Sequence, residues 1–156
     1  MFEKILVPLD GSELGEAALP FAEHLTQDVG GELTLISVGE PTTQQLGTDP
    51  EHRAYLDQVI ARMELDIKDY LSSVAQKIKA KGLKVRTVVM VGKPAEEIID
   101  YAHRQQMDMI AMATHGRSGI GRWVYGSVAE KVLRGARVPI LLVRSPGAPK
   151  GPADLS

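Results

Sequence analysis

The chain has 156 residues, a length typical of one domain, and 44% of them are hydrophobic, which is enough for one core. It contains no cysteine, which excludes disulfide frameworks, thiol catalysis and cysteine-ligated metal centres. Its 18 basic and 20 acidic residues give a net charge of −2, which excludes a global positive field for binding nucleic acid or an anionic membrane. The apolar stretches are strand-sized, so we expect a cytoplasmic protein with neither a signal peptide nor a membrane-spanning helix.

Five short apolar runs, rich in β-branched residues, predict five strands. They cover Lys4 to Leu9, Leu33 to Val38, Val85 to Val91, Met107 to Ala113 and Val138 to Val143. Four of them have the predominantly apolar composition expected for strands that are buried on both faces. The run from Val85 to Val91 is more mixed, which indicates a strand nearer a sheet edge.

Helical patterns lie between these strands. The first runs from Ser12 to about Asp28, with Phe21 in its apolar stripe. Pro20 lies inside that stripe and predicts a kink or a shorter helix, because it has no N–H to donate. The second pattern, from about Glu51 to Lys81, keeps one apolar face and is stopped by Gly82. We interpret it as a helix lying on a sheet, with a coiled-coil seam as the alternative.

Two more helices are predicted in the second half of the chain. The third opens at Pro94, with acidic residues in its first turn. The fourth begins at Ser127, where Ser127 and Glu130 have the spacing of a capping box, and Gly135 closes it.

Strict alternation of strands and helices predicts an α/β fold, a doubly wound five-stranded parallel sheet with four helices on its two faces. We expect a single domain over residues 1–144 with strand order 3-2-1-4-5. Two Pro/Gly-rich regions fall outside this pattern. One is the connection from Gly39 to Pro50, and the other is the C-terminal tail, residues 145–156, which is expected to be disordered.

Ligands of a doubly wound sheet bind beyond the carboxyl ends of its strands. Among the segments found there, the one after the fourth strand is the richest in glycine and basic residues. It contains four glycines within eleven residues and, among them, three basic side chains, while no acid occurs between Asp108 and Glu130. The glycines are Gly116, Gly119, Gly121 and Gly126, and the basic residues are His115, Arg117 and Arg122. Backbone N–H groups of such a loop, with the positive end of the next helix, favour a phosphate. The alternative is a glycine loop in which Ser127 serves only as the N-cap residue.

This segment does not match either of two known phosphate-binding motifs. Gly121 and Gly126 have the spacing of a P-loop, but Ser127 and Val128 stand where lysine and a hydroxyl residue are required. A dinucleotide motif would need glycine at the position of Val124.

Other polar residues have two interpretations each. Asp10 ends the first strand and can contact a ligand or cap the next helix with Ser12, and its place at the strand-order reversal favours ligand contact. The four histidines show no metal-ligand spacing, so no metal site is assigned. Trp123 and Tyr125 are expected to make packing or partner contacts.

The chain resembles the universal stress proteins from Lys4 to Val143. The resemblance rests on five motifs: Ile5 to Ser12, Val91 to Pro94, Thr114 to Gly119, Gly126 to Ala129 and Val138 to Val143. The ATP-binding branch of that family carries G-x2-G-x9-G-[S/T]. Gly116, Gly126 and Ser127 match its second glycine, third glycine and hydroxyl, whereas Ala113 stands at the first glycine.

The resemblance implies a Rossmann-like adenine-nucleotide-binding fold. The implied ligand is ATP, with its phosphates on four residues: Gly116, Gly126, Ser127 and Val128. The resemblance places Ala113 near the ribose, and Asp10 and the backbone of Val38 near the adenine. It also implies a homodimer paired through the last strand, Val138 to Val143.

These features predict a dimeric regulatory protein of the stress response, in which ATP orders the segment from Gly116 to Gly126 and changes the surface shown to an unidentified protein partner. No catalytic residue is assigned. A slow ATP hydrolase, with Asp10 helping to hold Mg²⁺, stays open. So does a dimeric interaction module that binds no nucleotide, which Ala113 favours.

Overall fold

The structure, a computed structural model, describes residues 2–41, 50–114 and 126–145. These residues form a five-stranded parallel sheet of order β3-β2-β1-β4-β5. The strands are β1 (Lys4–Pro8), β2 (Glu32–Gly39), β3 (Lys84–Val91), β4 (Met109–Ala113) and β5 (Ile140–Val143). The predicted strand order is therefore confirmed, and so is the edge position of the mixed strand, β3.

Helices cover both faces of the sheet. The described residues contain α1 (Leu19–Val29), α2 (Pro50–Lys79), α3 (Pro94–Arg104) and α4 (Ser127–Gly135). Side chains of β1 alternate between the two resulting cores, as the period of a strand requires. Ile5 and Val7 pack in the core formed with α1 and α2, whereas Leu6 packs in the core formed with α3 and α4.

The first helix does not begin at the predicted Ser12, but the shorter helix that Pro20 predicts is confirmed. A 3-10 helix, Leu14–Ala18, comes first, and α1 begins at Leu19 with Pro20 in its first turn, where a missing N–H breaks no intrahelical hydrogen bond. The buried residues of α1 are therefore Leu19, Ala22 and Thr26. Phe21 lies off this stripe and is 53% exposed, contrary to the sequence pattern.

Only part of α2 packs deeply on the sheet. Near its C-terminus, Leu71, Val74 and Ile78 are buried against the strands, which confirms a helix lying on a sheet. Towards the N-terminus, Tyr55 and Leu65 are exposed. The helix ends at Lys79, before the predicted Lys81.

The capping box predicted at α4 is not formed. Gly126 is the N-cap residue, and no side chain caps this end. The Gly126 N–H donates to the carbonyl of Thr114 at 2.6 Å, which holds Gly126 extended and makes Ser127 the first helical residue. A serine that is already helical is not placed to act as the N-cap residue.

The predicted connection and tail lie mostly outside the described residues, which omit 42–49 and 146–156. Ser145, at the start of the predicted tail, is buried and hydrogen-bonded to the domain.

Candidate functional site

A cavity of about 340 Å³ lies at the carboxyl ends of β1, β2 and β4. Its lining comes from these strands, from the 3-10 helix and from the first turns of α3 and α4. The polar part of the lining is contributed by Asp10, Thr114 and Ser127, together with backbone at Gly15 and Gly126.

Six of the seven predicted binding residues line this cavity: Asp10, Val38, Ala113, Gly126, Ser127 and Val128. The seventh, Gly116, lies outside the described residues. The same is true of the other residues singled out in that segment, namely His115, Arg117, Gly119, Gly121, Arg122, Trp123 and Tyr125.

The N-terminus of α4 forms one wall of the cavity. The first intrahelical hydrogen bond of α4 runs from the Glu130 N–H to the Gly126 carbonyl at 2.9 Å. The N–H groups of Ser127 and Val128 precede that bond, at the positive end of the helix. Because both residues line the cavity, this wall has the chemistry that binds an anion.

Asp10 forms a second polar wall. Its Oδ1 accepts hydrogen bonds from the Ser12 N–H at 2.9 Å and from the Ser12 hydroxyl at 2.5 Å. The Ser12 Oγ in turn accepts the Gly15 N–H at 3.1 Å, at the start of the 3-10 helix. Ser12 contacts the start of the 3-10 helix, whose N-cap residue, Glu13, makes no side-chain capping bond. The Asp10 carboxylate organises this turn and lines the cavity, and its contact with a ligand stays a prediction.

Gly15 was missed by the sequence analysis. A Cβ atom at this position would lie 2.6 Å from Asp10 Oδ1, so a side chain there would displace the carboxylate. The sequence feature that could have identified it is a glycine five residues after Asp10, in a segment whose pattern otherwise predicts a helix.

An apolar wall was also missed. It consists of Ile36, Pro94, Ile98 and Met112, which come from β2, α3 and β4. Their side chains are of the type that fills any core, so the sequence carried no signal that they face a cavity.

Thr114 is the third feature of the site that the sequence analysis missed, and it connects the cavity to β5. Its N–H donates to the Val143 carbonyl at 2.8 Å, and its carbonyl accepts the Gly126 N–H. Its hydroxyl oxygen accepts the Ser145 N–H at 3.3 Å. The signal for it was its position directly after Ala113, at the end of a buried strand.

A tyrosine from α2 lies behind the Asp10 wall. Burial raises the pKa of the Tyr70 phenol above its usual value near 10, and the negative charges of Glu16 and Asp10 raise it further. The phenol donates a hydrogen bond to Glu16 Oε2 at 3.1 Å. Tyr70 therefore stays neutral and joins α2 to the 3-10 helix, next to Gly15.

The described residues contain no group of three or more histidine, aspartate or glutamate side chains that could hold a metal ion. None of the helices in the described ranges is long and apolar enough to cross a membrane.

A doubly wound sheet of this order, with a cavity where the strand order reverses, defines an α/β domain of the Rossmann-like class. The chain belongs to the universal stress protein family, whose family model matches residues 1–144.

Relatives match over nearly the whole chain. Universal stress protein YxiE of Bacillus subtilis is 32% identical over 150 residues, covering 92% of this chain and 100% of the relative. The structure of protein MJ0577 from Methanocaldococcus jannaschii superimposes with a TM-score of 0.85 at 26% identity, covering 95% of this chain and 99% of that one. A universal stress protein family protein from Arabidopsis thaliana, solved with AMP bound, shares the fold with a TM-score of 0.61 at 16% identity, covering 96% and 97%.

Proposed function

We propose that this protein binds an adenine nucleotide in the cavity, with ATP as the ligand that its sequence motif favours, and acts as a cytoplasmic, nucleotide-dependent regulator in the stress response. The observation that carries the proposal is the composition of one cavity: a helix N-terminus at one wall, a carboxylate at another, and an apolar wall beside them.

The phosphates would lie at the N-terminus of α4. Gly126, Ser127 and Val128 present backbone there, and glycine at the N-cap position allows close approach of an anion. Gly116 is proposed to add a further backbone contact. Charge-assisted hydrogen bonds of this kind are about twice as strong as neutral ones.

Ala113 is compatible with this ligand. It closes β4 in strand conformation, and it is absent from the residues with positive φ among the described part of the chain. Alanine therefore meets no backbone strain where the nucleotide-binding motif has its first glycine. Its backbone is proposed to lie beside the ribose.

The base would lie towards Val38 and the apolar wall. Ile98 and Met112 offer surface to the faces of a purine ring, and the Asp10 carboxylate can accept a hydrogen bond from a ligand N–H or O–H. A volume of about 340 Å³ is within the range typical of small-molecule sites, roughly 300–1,000 Å³. The AMP-bound Arabidopsis protein supports the same ligand class for this fold.

A regulatory role needs two states of the protein that bind the nucleotide with different affinity. We propose that the segment following Thr114 differs between these states and that its surface contacts the partner protein. We also propose a homodimer through β5, because this strand is an edge of the sheet.

The first test is to denature the purified protein, identify any released nucleotide by chromatography, and titrate the emptied protein with ATP by calorimetry. Stoichiometric release, or micromolar binding, supports the proposal. Neither release nor heat at millimolar ATP would refute it and favour the interaction module that binds no nucleotide, for which Ala113 is the supporting feature.

Gly126→Val tests the site. The backbone at Gly126 has φ −56° and ψ 153°, which valine adopts without strain, so the fold should persist. The branched side chain would keep a phosphate away from α4, and we expect ATP affinity to fall by about a hundredfold, equivalent to about 3 kcal/mol of charge-assisted hydrogen bonds.

Gly126→Ala is the matched control and should give an intermediate loss, because its single methyl group blocks less of the approach. Circular dichroism and thermal unfolding check the fold of both variants. Unchanged ATP affinity in folded Gly126→Val would contradict the assignment of the phosphate site to this wall.

A further inference from the structure

Ser145 is buried although it is polar and follows the last strand. Its exposed fraction is 2%, and its hydroxyl donates to the Leu14 carbonyl at 3.0 Å. Its backbone N–H donates to the Thr114 hydroxyl oxygen at 3.3 Å. One residue therefore bonds to two segments that are about a hundred residues apart in the chain.

Each of these two partners is connected to a different wall of the cavity: Thr114 lines it, and Leu14 precedes Gly15, which lines it. Leu14 begins the 3-10 helix, whose next residue, Gly15, packs against the Asp10 carboxylate. Thr114 accepts the Gly126 N–H at 2.6 Å and so holds the N-terminus of α4. Ser145 is not among the described residues that line the cavity, so its bonds connect the two walls from outside the cavity.

A ligand that contacts both walls binds best when they are already held at the right separation, because otherwise it must order them on binding. Small displacements of positioning groups have large effects on such sites. We propose that Ser145 is a positioning residue that, through Thr114 and Leu14, holds the α4 wall and the Asp10 wall in register for the ligand. This inference rests on the proposed nucleotide-binding function.

The first test is Ser145→Ala, which removes the bond to Leu14. We expect ATP affinity to fall about three- to tenfold, the range of one net hydrogen bond. Thr26→Val is the matched control, because the Thr26 hydroxyl is equally buried and donates to the Ala22 carbonyl at 2.9 Å within α1, away from the cavity. The control should lose stability but keep its affinity for ATP.

The second test separates the hydroxyl of Thr114 from its size. Thr114→Val removes the oxygen that accepts the Ser145 N–H, whereas Thr114→Ser retains it. We expect weaker ATP binding in the valine variant and a smaller loss in the serine variant, which keeps the accepting oxygen. Because either single change already breaks the connection between the walls, Thr114→Val with Ser145→Ala should lose less affinity than the sum of the two.

Amide hydrogen exchange of the ligand-free protein gives a readout that needs no nucleotide. Exchange of the Gly126 N–H should be faster in Ser145→Ala than in wild type, and unchanged in Thr26→Val. If wild type binds no nucleotide but this difference is present, the proposed function fails and the role of Ser145 in holding the walls is supported. Wild-type affinity together with wild-type exchange in Ser145→Ala would overturn the inference.

Discussion

Glycine determines the geometry of this site as much as the residues with larger side chains do. At Gly15, the space that a Cβ would occupy is taken by the Asp10 carboxylate. The same carboxylate is held by two hydrogen bonds from Ser12. Its position is therefore set by short-range contacts inside one turn, which leaves it no room to adapt to a bulkier neighbour.

We expect Gly15→Ala to weaken ATP binding by about tenfold, because the added methyl group pushes Asp10 out of its place and so removes about one net hydrogen bond to the ligand. Overpacking of this kind should also lower the stability of the fold by about 1–3 kcal/mol. Calorimetric titration measures the affinity and thermal unfolding measures the stability.

Gly30→Ala is the control for this variant. Gly30 has φ +68° at the end of α1, so alanine there is strained, but no atom lies within 4 Å of the added Cβ. It should lose stability and keep its ATP affinity. Equal affinities of Gly15→Ala and wild type would show that the Asp10 wall does not contact the ligand.

At the scale of elements, α2 is joined to the 3-10 helix through one polar contact. The N-terminal part of this long helix has exposed apolar side chains, whereas its C-terminal part is buried. Tyr70 lies at the start of the buried part and donates to Glu16. Since its pKa is raised mainly by burial and then by the charge of Glu16, this contact depends on a neutral phenol.

This contact predicts a pH dependence of stability. Folding raises the pKa of Tyr70 above the unfolded value of 10.0, so the unfolded chain releases this proton first as the pH rises. The stabilisation is fully present below about pH 10 and is lost progressively above it. Tyr70→Phe should lose roughly 1 kcal/mol of stability at neutral pH and show a weaker decline in alkali.

Urea unfolding at about pH 8 and about pH 11 measures this difference between the variant and wild type. Tyr55→Phe is the matched control, because Tyr55 lies in the same helix and is 57% exposed. Its stability should follow that of wild type at both pH values. An alkaline decline in Tyr70→Phe as steep as in wild type would show that another group causes it.

At the scale of the whole molecule, β5 is an edge of the sheet whose outer side carries backbone groups. The carbonyls of Pro139 and Val143 accept hydrogen bonds from Ile110 in β4 and from Thr114 directly after it, so the residues between them alternate in direction. Ile140 and Leu142 therefore direct their backbone N–H and C=O groups away from β4. A second copy of the chain can pair with these groups, as the proposed homodimer requires.

We expect sedimentation to give a mass of twice 16.9 kDa for wild type. Leu142→Pro should be monomeric, because proline removes an outward N–H while the bonds to β4 are kept. Leu142→Ala controls for the loss of the side chain and should remain a dimer. A dimer of folded Leu142→Pro would move the interface away from β5, and monomeric wild type would contradict the homodimer.

Much of the fold could be predicted because it depends on local patterns. Runs of β-branched residues predicted the strands. Because ligands of parallel sheets bind at the carboxyl ends of the strands, Asp10, Val38 and Ala113 could be predicted to lie together there. The prediction failed at one helix cap. α4 begins at Ser127 as predicted, but Ser127 does not form the capping box that its spacing suggests, because the hydrogen bond from Gly126 to Thr114 makes Gly126 the N-cap residue.

The sequence by itself determined the class of fold and the family, because periodicity and motif spacing are properties of neighbouring residues. The pairing of the strands confirms the predicted strand order, which no local pattern fixes. Only the tertiary structure decided which apolar residues face the cavity and that Ser145 joins its two walls. Met112 and Ile98 have the side chains of any core residue, and the partners of Ser145 are far from it in the chain. Contacts of this kind arise only when the sheet brings distant segments together, so no local pattern could record them.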